Sequence, residues 1–383
     1  MPPNSTLGVS LLDPSAQTPP YDHLLAAALA RAGADVELIT SRFLYGPVPA
    51  PDGYATSESF YRRSTALGRG SRLRLPVKVL EHGGDMLRVR SSLADADVAH
   101  WQWLTLPRVD GALLGRRPGP PRVFTLHPPL PRPGEARALR RQRRLLERFD
   151  AVVVHTRAGA NRLAADVGLD PAAVHVIPHG PLDYLTTLPR EDPLPPELAA
   201  VEGPVILFFG LLRPYKGIDT LLEAFARIDR SAGAELWIAG MPRMPLAPLR
   251  ELADRAPATV RFLPRFIPDP EIPALMRRAD VLALPYREIE QSGVLHAGLA
   301  FGMAMVLGDV GGFSEVGARG AARLVPPGDA DCLAAALDDL ISNPDRRAAL
   351  SAAASEAVEG EFGWDAIAVR TLALYDRLGA GRR

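Results

Sequence analysis

The chain has 383 residues, enough for two domains of ordinary size. Its 47% hydrophobic and 23% charged content is that of a soluble globular protein, and a formal net charge of zero excludes the overall basic field that nucleic acid recruits. A single cysteine, Cys332, excludes an internal disulfide framework and a cysteine metal cluster. No stretch approaches the roughly 18 apolar residues of a membrane-spanning helix. The opening MPPNSTLGVSLLD lacks a charged n-region before a long apolar core, so no signal peptide is expected and the cytoplasm is the expected location.

In chain order, residues 7–12 predict a buried strand and 13–20 a loop. Residues 21–32 predict a helix through Leu24, Leu25, Ala28 and Leu29, ended by Gly33. A second strand is predicted at 36–40. Residues 43–74 are polar, aromatic and glycine-rich without a clear period, and are read as an irregular excursion of the kind that carries binding groups. Strands at 97–101 and 123–127 follow, with a helix at 104–114 between them. The most charged segment is 131–150, where Arg137, Arg140, Arg141, Arg143, Arg144 and Arg148 surround an apolar stripe of Ala138, Leu145, Leu146 and Phe149. This predicts an amphipathic helix with its stripe on the core. A solvated arginine face is the favoured reading of 132–148; attraction to an anionic membrane surface or a phosphorylated acceptor is the alternative. A strand at 151–155, a helix at 158–167 and a strand at 174–178 lead to His179-Gly180. The proline-rich stretch 186–202 predicts a domain linker.

Four histidines fall at predicted strand ends, His100, His127, His155 and His179. His127 is the one chosen for a ligand contact, because Pro128-Pro129 would end its strand and leave the side chain at the rim. No HxH or HxxxH pair occurs, so no metal site is expected.

The second half repeats the alternation. Strands are predicted at 205–210, 235–240, 260–264, 281–285, 304–308 and 323–326. Helices are predicted at 218–230, 246–255, 271–278, 294–301, 331–342 and 345–359. Strands alternating with helices specify a parallel, doubly wound sheet, so each half reads as one Rossmann-like α/β domain, with ligands expected in a cleft between them. Neither half carries GxGxxG after its first strand, which argues against a dinucleotide.

The stretch VILFFGLLRPYKG, 205–217, has the most chemistry in it. An apolar run ends at Gly210, and the loop that follows carries Arg213 and Lys216 before a helical pattern begins. Two cations, a glycine turn and a helix start suit a diphosphate. Of 44 Lys plus Arg only Lys78 and Lys216 are lysine, so a compact ammonium at 216 stands out in a chain that otherwise writes its cations as Arg. After the strand at 281–285, Glu288 and Glu290 sit in a loop, and Ser292-Gly293 opens a helix. Its amides favour an anion, and Glu290 reads equally as a holder of sugar hydroxyls or as a simple helix-end acid. Gly311 and Gly312 follow the next strand and let backbone approach a ligand.

Three segments, FFGLLRPYKGIDTLLEAF, ADVLALPYREIEQSGV and AFGMAMVLGDVGGFSEV, resemble in order and spacing the donor domain of retaining GT-B glycosyltransferases of the GT4 group. VVVHTRAGANRL, HVIPHG and the closing FGWDAIAVRTLALYDRL are similar to the same family, so the likeness runs from about residue 95 to the C-terminus. The resemblance implies an acceptor-binding domain at 1–185, a donor-binding domain at 203–360 and a last helix, 364–383, packing back on the first. It implies a nucleotide-diphosphate sugar as donor, an unidentified glycan, lipid or small-molecule acceptor, retention of anomeric configuration, and neither metal nor cofactor. Arg213 and Lys216 would hold the diphosphate, Glu290 the donor-sugar hydroxyls, Gly293 and Val294 would offer amides to phosphate, and His127 would lie near the donor sugar. Three departures stand out. The family's ribose-binding glutamate falls on Gly298 or Ala297, Leu211 replaces the arginine that follows the strand-end glycine, and Pro19-Pro20-Tyr21-Asp22 replaces a glycine pair. A sugar-nucleotide epimerase and a non-catalytic sugar-nucleotide binder are the alternatives.

Overall fold

The structure, a computed structural model, describes residues 6–114, 119–127, 130–131, 134–228 and 233–379. Pro128-Pro129 and the first two positions of the Arg-rich segment 132–148 lie outside the described residues. The chain forms two compact units, Met1–His179 with Trp364–Arg383, and Gly180–Gly363.

The first unit holds seven strands, β1 (Gly8–Asp13), β2 (Asp35–Ser41), β3 (Ala55–Phe60), β4 (Val98–Trp101), β5 (Arg122–Thr125), β6 (Ala151–Val154) and β7 (Val174–Val176). They form one sheet in the order β3-β2-β1-β4-β5-β6-β7, and every pairing is parallel. The second unit holds β8 (Val205–Phe209), β9 (Glu235–Ala239), β10 (Val260–Leu263), β11 (Val281–Leu284), β12 (Met305–Gly308) and β13 (Arg323–Val325), ordered β10-β9-β8-β11-β12-β13 and again all parallel. Helices on both faces bury the central strands, all but Phe209 at the end of β8, which is why β8, β11 and β12 read as unbroken apolar runs. In each sheet the strand order reverses beside the first strand, between β1 and β4 and between β8 and β11. Loops leaving the carboxyl ends of those two strands diverge there and open a crevice.

Two expectations need correction, and one helix lies where no element was expected. The excursion 43–74 is not wholly irregular: β3 adds a parallel edge strand, and a short helix, Arg62–Ala66, follows it. β3 is exposed over much of its length and written ATSESF, so it carries no apolar alternation to betray it. The chain then runs into a 19-residue helix, Arg74–Ser92, whose Gly83-Gly84 pair lowers local helix propensity and whose long apolar side chains point largely outward. Finally, 186–202 is not a free linker. Leu198 is buried in the second unit's core, Asp192 donates its amide to Pro270 O at 2.8 Å, and Arg277 pairs with Glu191. The terminal helix Trp364–Arg377 belongs to the first unit, where Tyr375 hydrogen-bonds His100 Nδ1 at 2.6 Å.

Candidate active site

In the second unit the loops after β8 and β11 meet around a cavity of about 430 Å³. Gly210 leaves β8 with φ +115°, a conformation that side chains rarely adopt. A Cβ there would stand 3.0 Å from Lys216 Nζ and 2.9 Å from a Val294 methyl, so the glycine opens the space that the ammonium occupies. Arg213 precedes a single 3-10 turn, Pro214–Lys216, and Gly217 (φ +67°) reverses the chain into the helix Ile218–Phe225. That turn folds Lys216 back over the crevice.

Lys216 is only 6% exposed. Its Nζ lies 4.7 Å from the centroid of the buried Tyr286 ring, a cation–π contact. Burial, and secondarily the Arg213 charge, lower its pKa to about 8. Among the described residues no carboxylate pairs with it. A buried ammonium without a counter-ion is costly, and a bound anion would relieve that cost.

The helix Gly293–Ala300 starts at the same cavity. Ser292 is its N-cap, but its hydroxyl accepts from none of the first amides, so these are left open toward the cavity. Ser292, Gly293 and Val294 line the cavity with Gly210 and Lys216. Arg213 is exposed on the turn and does not line it, nor do Glu290, Gly311 and Gly312. Gly311, with φ +50°, packs its backbone so closely on Ile289 O that no side chain fits, and Gly312 N donates to Glu290 O at 3.2 Å. These two glycines brace the loop that carries Glu290.

His127 lies in the first unit, just past β5, in a cluster with His155, His179 and Tyr21. His155 Nδ1 faces Ile177 O at 3.0 Å and so must donate to it. Burial holds His155 near pKa 4 and His127 well below the usual range, so both are neutral. The proton in the 3.4 Å contact between them then belongs to His127 Nδ1. This leaves His127 Nε2 an acceptor beside the Gln102 amide at 3.1 Å. The Gln102 amide nitrogen is buried without a partner, and turning that amide over satisfies both groups. Trp103 stacks on His127 with the ring planes 9° apart. Pro19 and Pro20 begin the helix Pro19–Arg31, and Tyr21 fills the space beside the histidines, its ring centroid 4.8 Å from that of His127.

Residues 23–180 match Glycosyltransferase Family 4, and residues 203–343 match Glycosyl transferases group 1. The D-inositol 3-phosphate glycosyltransferase of Jonesia denitrificans is 29% identical over 92% of this chain and 89% of its own. Sucrose-phosphate synthase from Thermosynechococcus elongatus superposes with a TM-score of 0.70 at 21% identity, covering 98% of this chain and 99% of that one. Anabaena HepE, solved in complex with UDP and glucose, gives 0.68 at 19% identity over 97% and 100%.

The chain belongs to the family 4 glycosyltransferases.

Its fold is GT-B and it is a transferase. In this glycosyltransferase Ala297 lines the cavity, whereas a side chain at Gly298 would run into Leu282 and Met305. Position 297 is therefore the one that faces the cavity, and it offers only a methyl group. Other polar groups line the cavity instead, and sequence reasoning missed them: Asp269, which accepts from Tyr184 at 2.9 Å, Gln291, bonded to His296 at 2.9 Å, and Tyr286. Tyr286 and Gln291 lay inside the ADVLALPYREIEQSGV motif and could have been singled out. Asp269 and the exposed Phe266 come from the loop after β10, and no local pattern marks them.

Proposed function

We propose that this glycosyltransferase moves a sugar from a nucleotide-diphosphate donor to an acceptor hydroxyl, with retention of configuration and without a metal. The observation that carries the proposal is Lys216, a buried ammonium with no carboxylate partner among the described residues, facing the start of the helix Gly293–Ala300 across one cavity. In this reading the ammonium and the amides of Gly293 and Val294 take the charge that builds on the departing diphosphate, an electrostatic role for groups already in place. Arg213 adds positive charge from the turn, Glu290 accepts from donor-sugar hydroxyls, and the neutral His127 offers Nε2 to a sugar hydroxyl in place of the Gln102 amide. A thermal-shift screen of UDP, GDP, ADP and TDP tests the donor assignment. The matching diphosphate raises the melting temperature by mass action, and no shift with any of them would count against it.

Affinity for that diphosphate is expected to be level below pH 8 and to fall above it, because free Lys216 then loses its proton. Titration calorimetry from pH 6.5 to about pH 9.5 reads this; a flat profile would separate Lys216 from the diphosphate. Transfer should persist in excess EDTA, since protein cations meet the phosphate charge; loss of activity restored by a divalent ion would replace this reading with a metal-dependent one.

Glu290→Gln distinguishes a sugar holder from a helix-end acid. A charged hydrogen bond contributes about 1.5–3 kcal/mol, whereas the helix dipole gives only about 0.3–1 kcal/mol of stability. Turnover is expected to fall at least about tenfold while affinity for the bare nucleoside diphosphate holds. Equal loss of both would place Glu290 at the nucleotide.

A further inference from the structure

The helix Arg74–Ser92 is amphipathic in the wrong sense for a surface helix. One side buries His82, Asp85, Met86 and Val89 in the first unit. At about 100° per residue, Leu75, Val79, Gly83 and Leu87 form one i, i+4 row that runs along the helix from the flank of the buried side, with Leu80 and Gly84 next to it, and no charged residue between 75 and 87 falls within it. These side chains stand in solvent: Leu75 is 70% exposed and Leu80 83%. Leu73, at 65%, continues the patch onto the preceding turn. Single exposed leucines need no explanation, but a contiguous outward stripe does.

The surrounding charge points to what covers it. From Ser59 to Leu80 the chain carries Arg62, Arg63, Arg69, Arg72 and Arg74 and no acid, Glu58 and Glu81 standing just outside this span, while Lys78 turns inward to Ser15 Oγ at 3.0 Å. Tyr45, itself 58% exposed, lies under the guanidinium groups of Arg69 and Arg74, 5.4 and 5.9 Å from its ring centroid. An apolar stripe edged by cations and a tyrosine matches the cross-section of an anionic bilayer interface, acyl chains below and phosphate above.

We propose that this face of the helix Arg74–Ser92 docks the protein on the surface of an anionic membrane. Among the described residues no helix is long and apolar enough to cross a bilayer, so the contact is peripheral. It also differs from the contact weighed in the sequence. The helix Ala136–Leu146 turns Arg137, Arg140, Arg141 and Arg144 outward with no exposed large apolar side chain among them, so it can attract a phosphate surface but has nothing to insert.

The test is cosedimentation of the full chain with sucrose-loaded vesicles of phosphatidylcholine alone or mixed with phosphatidylglycerol. The protein is expected to pellet with the mixed vesicles, less so at high salt, and weakly with the neutral ones. Leu75→Ser/Leu80→Ser and Arg69→Glu/Arg72→Glu should each lower partitioning at least about tenfold, with melting temperature and nucleotide-dependent thermal shift unchanged because the positions are exposed. Arg140→Glu/Arg141→Glu should keep most of the binding. Three results would overturn the proposal: a wild-type protein that stays in the supernatant, a leucine variant that pellets like wild type, or a wild-type dimer that the leucine variant abolishes without any vesicle binding, which would assign the stripe to a second copy of the chain.

Discussion

Lys216→Ala is expected to lower transfer roughly 10²–10³-fold, the loss typical of removing one preorganised group that stabilises developing negative charge. The same change should not destabilise the apo protein. Lys216 has its pKa lowered from 10.5 to about 8 by burial, so at neutral pH the folded state carries a charge it holds less readily than the unfolded chain does. The sign follows from proton uptake. Between pH 8 and 10.5 the unfolded state binds the extra proton, so apo stability rises with pH across that window. Below pH 8 the charge costs about 3 kcal/mol. Removing the ammonium lifts that cost, offset by the space left above the Tyr286 ring. The expected signature is thus a melting temperature held or raised, a lost thermal shift with nucleoside diphosphate, and a collapsed rate. Transfer within a few-fold of wild type would remove Lys216 from the chemistry, and a large drop in melting temperature would make it a structural cation instead.

The second large effect is expected at Gly240, which the sequence did not single out. Gly240 follows β9 with φ +147°, and its Cα faces Gly210 so closely that an added Cβ would overlap the Gly210 carbonyl oxygen. The two loops are further tied by Gly210 N donating to Ala239 O at 3.0 Å and Leu212 N to Met241 O at 3.0 Å. Gly240→Ala must therefore push the Gly210–Lys216 turn away from the cavity. Overpacking together with a strained backbone should cost about 3 kcal/mol, a fall in melting temperature on the order of 6–12 °C for a unit of this size. Nucleotide affinity measured below the new transition should fall as well, because the turn that positions Lys216 has moved. An alanine variant with unchanged melting and unchanged affinity would show that the loop yields freely, and Gly240 would then have no part in fixing the site.

These two residues mark the line between what a linear reading reaches and what it does not. Lys216 was legible because its surroundings are local. An apolar strand, a glycine, a cation and a helix start succeed one another within thirteen residues, and rarity of lysine in an arginine-rich chain drew the eye to it. Ser292, Gly293 and Val294 were legible for the same reason, as the start of a helix just past a strand. Gly240 was not, since the constraint on it comes from a backbone oxygen thirty residues earlier. Asp269 and Tyr184 are likewise 85 residues apart and meet only through the packing of the second unit.

Sequence alone therefore determined the class of the fold, because strands buried on both faces of a parallel sheet must be written as short apolar runs between helices, and such runs are visible without any partner. It determined the position of the Gly210–Lys216 turn and of the helix start at Gly293 on the same ground. Tertiary structure alone decided which side of the helix Arg74–Ser92 faces water, that β3 joins the sheet at its edge, that 186–202 packs on the second unit, and that position 297 rather than 298 meets the cavity. In each of these the deciding contact joins residues far apart in sequence or depends on the direction of a side chain, and neither is encoded in local pattern.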